Sequence, residues 1–192
     1  MGHHTFDAGA AAGLEDESRY AYLSVDELLG ALDPGPEDCV ADLGSGTGFY
    51  TRSIAPNVGG VVAIDLQPTM HAAFAEFGVP ESVDRVTATI GSLPVRSGVL
   101  AGAYSTMTYH EFYAPAALAE LARVVRPDGR VVIADWSAGG KGDRGPPLSE
   151  RYDAETVATH FEEHGFDVER VADRRETLVV VARNVADLTR QS

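Results

Sequence analysis

The sequence predicts an α/β fold: a mostly parallel sheet with helices on both faces and one reversed strand at its edge. Two observations predict it. Short apolar runs alternate with segments of helical period along the chain, and parallel neighbours need such helical crossovers. The last two runs, Phe166–Val171 and Thr177–Ala182, are joined through the charged turn Asp173-Arg174-Arg175-Glu176. That link is too short for a right-handed crossover, so the pair is an antiparallel hairpin.

The elements follow in order. Residues 1–13 are small and polar and read as a flexible N-terminus. Leu14, Tyr20, Leu23, Leu28, Leu29 and Leu32 recur at helical spacing, with Ser24 and Glu27 forming a capping box for a second segment. Asp33-Pro34-Gly35-Pro36 ends that helix. Cys39–Leu43 is a short buried strand, Gly44 to Gly48 a glycine loop, and Thr47–Ala55 the next helix. Val61–Ile64 is a second strand, ending in Asp65, and Pro68 opens a helix running to about Phe77. Strands are expected over 85–90, within 98–106 and over 130–135. Ala114–Val125 reads as helix, stopped by Arg126-Pro127-Asp128-Gly129, and Ala154–His164 as an amphipathic helix capped by Gly165. Residues 14–184 form one domain, and 185–192 are a tail.

Composition narrows the function. The 192 residues carry 29 acidic against 15 basic side chains, a net charge of -14. That excess argues against nucleic acid and anionic membranes as partners, since both need clustered Lys and Arg. No apolar run approaches the ~20 residues of a membrane span, and the N-terminus lacks the basic and apolar regions of a signal peptide. A cytoplasmic location is the expectation. Cys39 is the only cysteine, which excludes an internal disulfide and any multi-thiol metal site, and it reads as a small buried hydrophobe. Lys141 is the only lysine. The acidic surface suits an acidic proteome in a high-salt cytoplasm; a GC-rich genome would give a similar bias. His3 and His4 read as incidental rather than as metal ligands.

The informative segment is Val40-Ala41-Asp42-Leu43-Gly44-Ser45-Gly46-Thr47-Gly48-Phe49. A strand enters a G-x-G-x-G turn and leaves it as a helix. Glycines permit the tight turn and a close ligand approach, and the helix start offers backbone N–H groups. Asp65 ends the next strand, where a carboxylate can accept from two ribose hydroxyls. The dinucleotide fingerprint G-x-G-x-x-G is not met, because Phe49 stands where its last glycine would be. Asp42 would also repel a pyrophosphate, yet it suits a ligand with an ammonium group. S-adenosylmethionine has that ammonium, with a carboxylate for the loop N–H groups and a ribose for Asp65.

These residues resemble the class I S-adenosylmethionine-dependent methyltransferases. Residues 40–49 look like their first motif and Val62-Ala63-Ile64-Asp65 like their second; Leu93-Pro94 resembles the turn after their third strand. Arg126-Pro127-Asp128-Gly129-Arg130-Val131-Val132-Ile133-Ala134-Asp135 is similar to their segment leading into strand five. Gly145-Pro146-Pro147-Leu148-Ser149-Glu150-Arg151 and Phe161-Glu162-Glu163-His164-Gly165-Phe166 look like the tail of the subgroup resembling ubiquinone/menaquinone-biosynthesis methyltransferases. The resemblance implies a Rossmann-like three-layer sandwich of seven strands in order 3-2-1-4-5-7-6. It also implies direct displacement of the methyl group onto a small-molecule acceptor. The expected cofactor contacts are Asp42, Gly44, Ser45, Gly46, Gly48, Asp65, Leu66, Ser92 and Leu93. The family's acidic residue before the Leu-Pro turn is absent here, where Thr89-Ile90-Gly91-Ser92 stands. Adenine contact is then expected from backbone groups and Ser92.

Tyr109, His110 and Glu111 follow strand four at the edge where the reacting methyl would lie. His110 is a candidate base and Tyr109 a second catalytic candidate, with a structural histidine fixing the loop as the alternative. Glu111, Trp136 and Arg151 are candidate acceptor contacts, though Arg151 could instead pair with a carboxylate. Tyr20 and Tyr22 lie on the N-terminal helix, where one could close over the cofactor. Two other functions remain open at this stage: a nicotinamide-dependent oxidoreductase, and a non-catalytic S-adenosylmethionine-binding module. A chain this short leaves little for a lid, so the pocket either stays open or is completed by a second copy in a homodimer.

Overall fold

The computed structural model describes residues 13–185. Residues 1–12 and 186–192, which hold His3, His4 and most of both expected tails, lie outside the described residues. Seven strands form one sheet: β1 (Cys39–Leu43), β2 (Gly60–Asp65), β3 (Val83–Thr87), β4 (Leu100–Thr106), β5 (Val125–Trp136), β6 (Phe166–Asp173) and β7 (Thr177–Asn184). Their order is β3-β2-β1-β4-β5-β7-β6. β7 runs antiparallel to β5 and β6, and the other pairs are parallel. Connections leave β1 and β4 in opposite directions, so a crevice opens between their carboxyl ends, where open α/β sheets bind ligands.

The helices are α1 (Val25–Leu32), α2 (Phe49–Ile54), α3 (Pro68–Phe77), α4 (Tyr109–Phe112), α5 (Pro115–Val124) and α6 (Ala154–Glu162). The alternation of side chains along β5 and β7 builds two cores at once. Val131, Ile133, Leu178, Val180 and Ala182 pack under α5 and α6 with Leu118, Leu121, Val157 and Phe161. Val132, Ala134, Val179 and Val181 face the opposite layer with Leu28, Leu32 and Ile54. A strand buried on both faces reads as an unbroken apolar run, which is why these strands were recognisable.

The element boundaries differ from the sequence reading in four places, each for a local reason. Of the helical stretch expected over Leu14–Leu32, the second segment starts after Ser24 as its capping box predicts, but the first is only a 3-10 turn, Glu17–Ala21. Ser24 is extended between them because its hydroxyl accepts from the Glu27 N–H (3.1 Å) as an N-cap. The helix after the glycine loop starts at Phe49, since Gly48 is left-handed at φ 77°. β3 begins earlier than expected: Val83 pairs with Val61, and Ile90 is buried beyond the strand's end. β5 runs through the expected stop at Arg126–Gly129, where Asp128 turns the backbone at φ 64° and the register with β4 shifts.

Asn184 closes the sheet. Its buried side-chain amide donates to the carbonyls of Ala122 (3.0 Å) and Val125 (2.7 Å), tying the end of β7 to the junction of α5 and β5. Asn184→Ala should strand both carbonyls and lower unfolding free energy by roughly 2–3 kcal/mol, read as a reduced urea midpoint. An unchanged midpoint would show that water replaces the amide at no cost.

Candidate active site

The carboxyl ends of the central strands frame a cavity of about 850 Å³. From the β1–β2 side it is walled by Asp42, Gly44, Ser45, Gly46, Asp65 and Leu66. From the β4–β5 side come Thr108, His110, Glu111, Phe112 and Trp136. The N-terminal segment contributes Arg19 and Tyr22, and Ala88–Gly91 and Ala116 make a further wall.

The glycine loop is held by β2. The Gly44 and Ser45 amides both donate to the Ile64 carbonyl (2.9 Å each), and the Gly46 amide donates to Asp65 Oδ2 (2.8 Å). Gly44 has φ 73°, and a Cβ there would lie 2.4 Å from the Thr108 methyl, so only glycine lets the two loops meet. The expectation that the loop N–H groups await a ligand carboxylate is therefore corrected for these three amides: they are bonded within the protein. Arg19, a residue the sequence reading missed, brings a guanidinium to the same cavity. Its guanidinium lies over the rings of Phe49 (5.0 Å) and Tyr50 (5.4 Å), and one nitrogen donates to the Leu14 carbonyl (2.6 Å).

Asp42 is buried. Its Oδ2 accepts from Thr51 Oγ1 (2.5 Å), while Oδ1 has no hydrogen-bond partner. Burial pushes its pKa up to about 7; Thr51, Tyr104 and Arg19 pull the other way without prevailing. Asp42 lines the cavity, so a cationic group bound there would be drawn to its carboxylate. Asp65 Oδ1 accepts from the Gln67 amide (2.8 Å), and both of its oxygens keep a further lone pair for hydroxyl donors. With Arg19 for a carboxylate, these groups match the polar ends of S-adenosylmethionine.

At the other end stands His110. Its Nδ1 lies 3.0 and 2.9 Å from the two oxygens of Asp135, and its backbone N–H donates to Asp135 Oδ2 (2.8 Å). Asp135 is buried and also accepts from the Trp136 amide (2.7 Å). Burial disfavours the charged imidazole, but the hydrogen bond and charge of Asp135, helped by Glu111 and Glu150, outweigh it and raise the His110 pKa above its ordinary value. Trp136 packs against Tyr22, ring centroids 5.1 Å apart.

Five expected site residues lie away from the cavity wall. Tyr109 is buried in an aromatic cluster with Tyr113, Tyr152 and Phe161, its hydroxyl 3.0 Å from His160 Nδ1; it packs rather than faces a ligand. Gly48 gives α3 room, since a Cβ there would enter the Phe74 ring at 2.3 Å. Ser92 sits in a turn, its N–H donating to Thr89, and Leu93 is buried, its N–H held by Glu120 (2.6 Å). The wall expected from them is made by Ala88–Gly91 instead. Arg151 is buried and donates to the carbonyls of Pro146, Ser137 and Arg144 while lying over Trp136 (5.4 Å). It latches the loop at 139–147 and, among the described residues, forms no ion pair with a carboxylate. Tyr20 also points elsewhere, bonding Ser53 Oγ (2.9 Å), whereas Tyr22 lines the cavity. Cys39 is half-buried rather than buried.

Residues 41–133 match the family described as methyltransferase domain. The fold superimposes on a SAM-dependent methyltransferase from Aquifex aeolicus with TM-score 0.84 and 28% identity, covering 94% of this chain and all of that one. A demethylmenaquinone methyltransferase of Mycolicibacterium vanbaalenii is 35% identical over 108 residues, 56% of this chain and 46% of that protein. The bifunctional biotin-biosynthesis protein BioHC of Cellvibrio japonicus is 32% identical over 99 residues, 51% of this chain and 20% of that protein. The chain thus spans less than half the length of these two curated relatives.

The raised Asp42 pKa has a consequence for stability. Between its unfolded value of 3.8 and its folded value of about 7, the native state holds the extra proton, so stability declines as pH rises through that window. Asp42→Asn cannot ionise. From pH 5 to pH 8 the variant should gain roughly 2 kcal/mol relative to the unaltered protein, in parallel urea titrations. A pH-independent difference would show that Asp42 ionises normally.

Proposed function

We propose, because this chain belongs to the class I S-adenosylmethionine-dependent methyltransferase family, that it moves the methyl group of that cofactor to a small-molecule acceptor bound beside His110 and Trp136. The observation that carries this reading is that Asp42, the glycine loop and Asp65 line one cavity at the carboxyl ends of β1 and β2. When bound, the cofactor supplies an electrophilic methyl group on a positively charged sulfur. Everything else is the work of the chain.

Asp42 would face the cofactor's ammonium and Arg19 its carboxylate. Asp65 would accept from the ribose hydroxyls while its bond to Gly46 keeps the loop closed. The adenine would lie along Leu66, Ala88, Ile90 and Gly91, a wall without a carboxylate. The walls of the β4–β5 end align the acceptor and exclude water, and such alignment supplies much of the rate in an in-line displacement. The likeness to demethylmenaquinone methyltransferases supports an acceptor built on a ring, and the net charge of -14 supports a small molecule over a nucleic acid.

Asp65→Ala should weaken S-adenosylmethionine and S-adenosylhomocysteine by about 2–4 kcal/mol, roughly 30- to 1000-fold, through loss of charge-assisted hydrogen bonds. Calorimetric titration reads this directly, with NADH as the comparison ligand expected not to bind. Equal affinity in the variant, or a preference for NADH, would overturn the assignment.

A further inference from the structure

We propose that the acceptor carries a carboxylate and that Arg144 binds it, as the handle that sets the molecule in place rather than as the group methylated. This rests on the methyltransferase reading and names the acceptor class of that same cavity.

The first observation is a cation without an anion. Two side chains of permanent positive charge stand in the cavity wall, Arg19 and Arg144. Arg19 donates to the Leu14 carbonyl, lies over Phe49 and Tyr50, and belongs to the cofactor end. Arg144 forms no ion pair among the described residues, in a chain with 29 acidic side chains against 15 basic ones. The acid that feels its charge is Asp16, in the same wall. The Asp16 carboxyl is held below its ordinary range chiefly by its bonds to Ser18, and the Arg144 charge is the smallest contribution. The guanidinium is therefore not spent within the protein.

The second observation is how the loop presents this cation. The carbonyls of Arg144 and Pro146 both accept from the buried Arg151, and Gly145 between them lies against the Trp136 ring. The backbone on either side of Gly145 is thus fixed from beneath, while the Arg144 side chain lines the cavity. Trp136 ends β5, so the cation stands at the acceptor end and not beside the glycine loop.

Charge then selects the class. A guanidinium offers two parallel N–H groups that match the two oxygens of a carboxylate. A phosphate ester matches them too, but it brings a charge of about −1.5 to −2 at pH 7. The same wall already holds Asp16, Asp65 and Glu111. One unpaired cation offsets one negative charge, so a monoanion fits and a dianion does not. The carboxylate is the handle for two reasons. Hydrogen bonds from a guanidinium blunt the nucleophilicity of its oxygens. Methylating them would also remove the charge that holds the molecule.

The test uses the whole chain saturated with S-adenosylhomocysteine. It is titrated by calorimetry with benzoate and hexanoate, each beside its neutral amide, and with phenyl phosphate as the dianion. Both carboxylates should bind at least about tenfold tighter than their amides, and tighter than phenyl phosphate. Arg144→Gln should erase the preference for acid over amide while binding S-adenosylhomocysteine within about twofold of the unaltered protein. Arg144→Lys should keep part of the preference. Arg151 grips the backbone of residue 144 and not its side chain, so both variants retain the loop. Incubation of the two acids with S-adenosylmethionine should yield neither methyl benzoate nor methyl hexanoate. Amides that bind as well as the acids, a preference that survives in Arg144→Gln, tighter binding of phenyl phosphate, no binding of either acid, or a methyl ester product would overturn the proposal. Failure of S-adenosylhomocysteine to bind would instead remove the cofactor reading beneath it.

Discussion

The Ile64 carbonyl, accepting from both the Gly44 and Ser45 amides, is the interaction on which the site depends. It fastens the turn after β1 to the end of β2, one strand away. With the backbone so held, Asp65 reaches over to the Gly46 amide, and the carboxylate is fixed at the rim rather than loose in solvent. Thr108, from the loop after β4, then packs where any side chain at position 44 would have to go. Three strand ends are thus locked together by one carbonyl, one carboxylate and one missing Cβ. Generic parallel pairing makes the sheet; these contacts make its edge into a cavity.

The two ends of that cavity treat charge differently. At the β1 end a carboxylate is kept in an environment that resists its ionisation, a state that a cationic ligand would relieve. At the β4–β5 end a histidine is held against a carboxylate that favours its protonation. One end thus suits a bound positive charge and the other suits one that arrives as a proton. Both sit within a chain whose surface is already strongly acidic, so neither depends on distant basic residues for its character.

What was readable in the sequence was whatever is encoded within a few residues. The glycine spacing from Gly44 to Gly48, the acid before it and the acid ending the next strand all lie within a single β-α-β unit. The hairpin of β6 and β7 was readable because a short link admits only one geometry. What escaped reading depends on register and packing between distant segments. Asp135 meets His110 because β4 and β5 pair with Thr106 beside Ala134, a fact no local pattern encodes. Arg19 reaches the site only because a 3-10 turn lays it over Phe49 and Tyr50. Tyr109 and His110 are adjacent on α4, a single short turn, so their side chains leave it in different directions. One enters the aromatic cluster and the other the cavity, and a sequence shows the pair without the divide.

The latch formed by Arg151 grips the loop at 139–147 through backbone carbonyls, at Pro146 and Arg144, together with Ser137 at the end of β5. Carbonyls belong to every residue type. Most side chains of that loop can accordingly be exchanged without releasing the grip. The exceptions are glycines: Gly145 lies against the Trp136 ring, Gly142 is left-handed at φ 79°, and a Cβ at Gly140 would crowd Arg151 itself (3.2 Å). The cavity wall that Arg144 and Pro146 contribute could therefore drift in character along one short stretch while the glycine-loop contacts stay unchanged. The arrangement separates what must be inherited from what is open to invention.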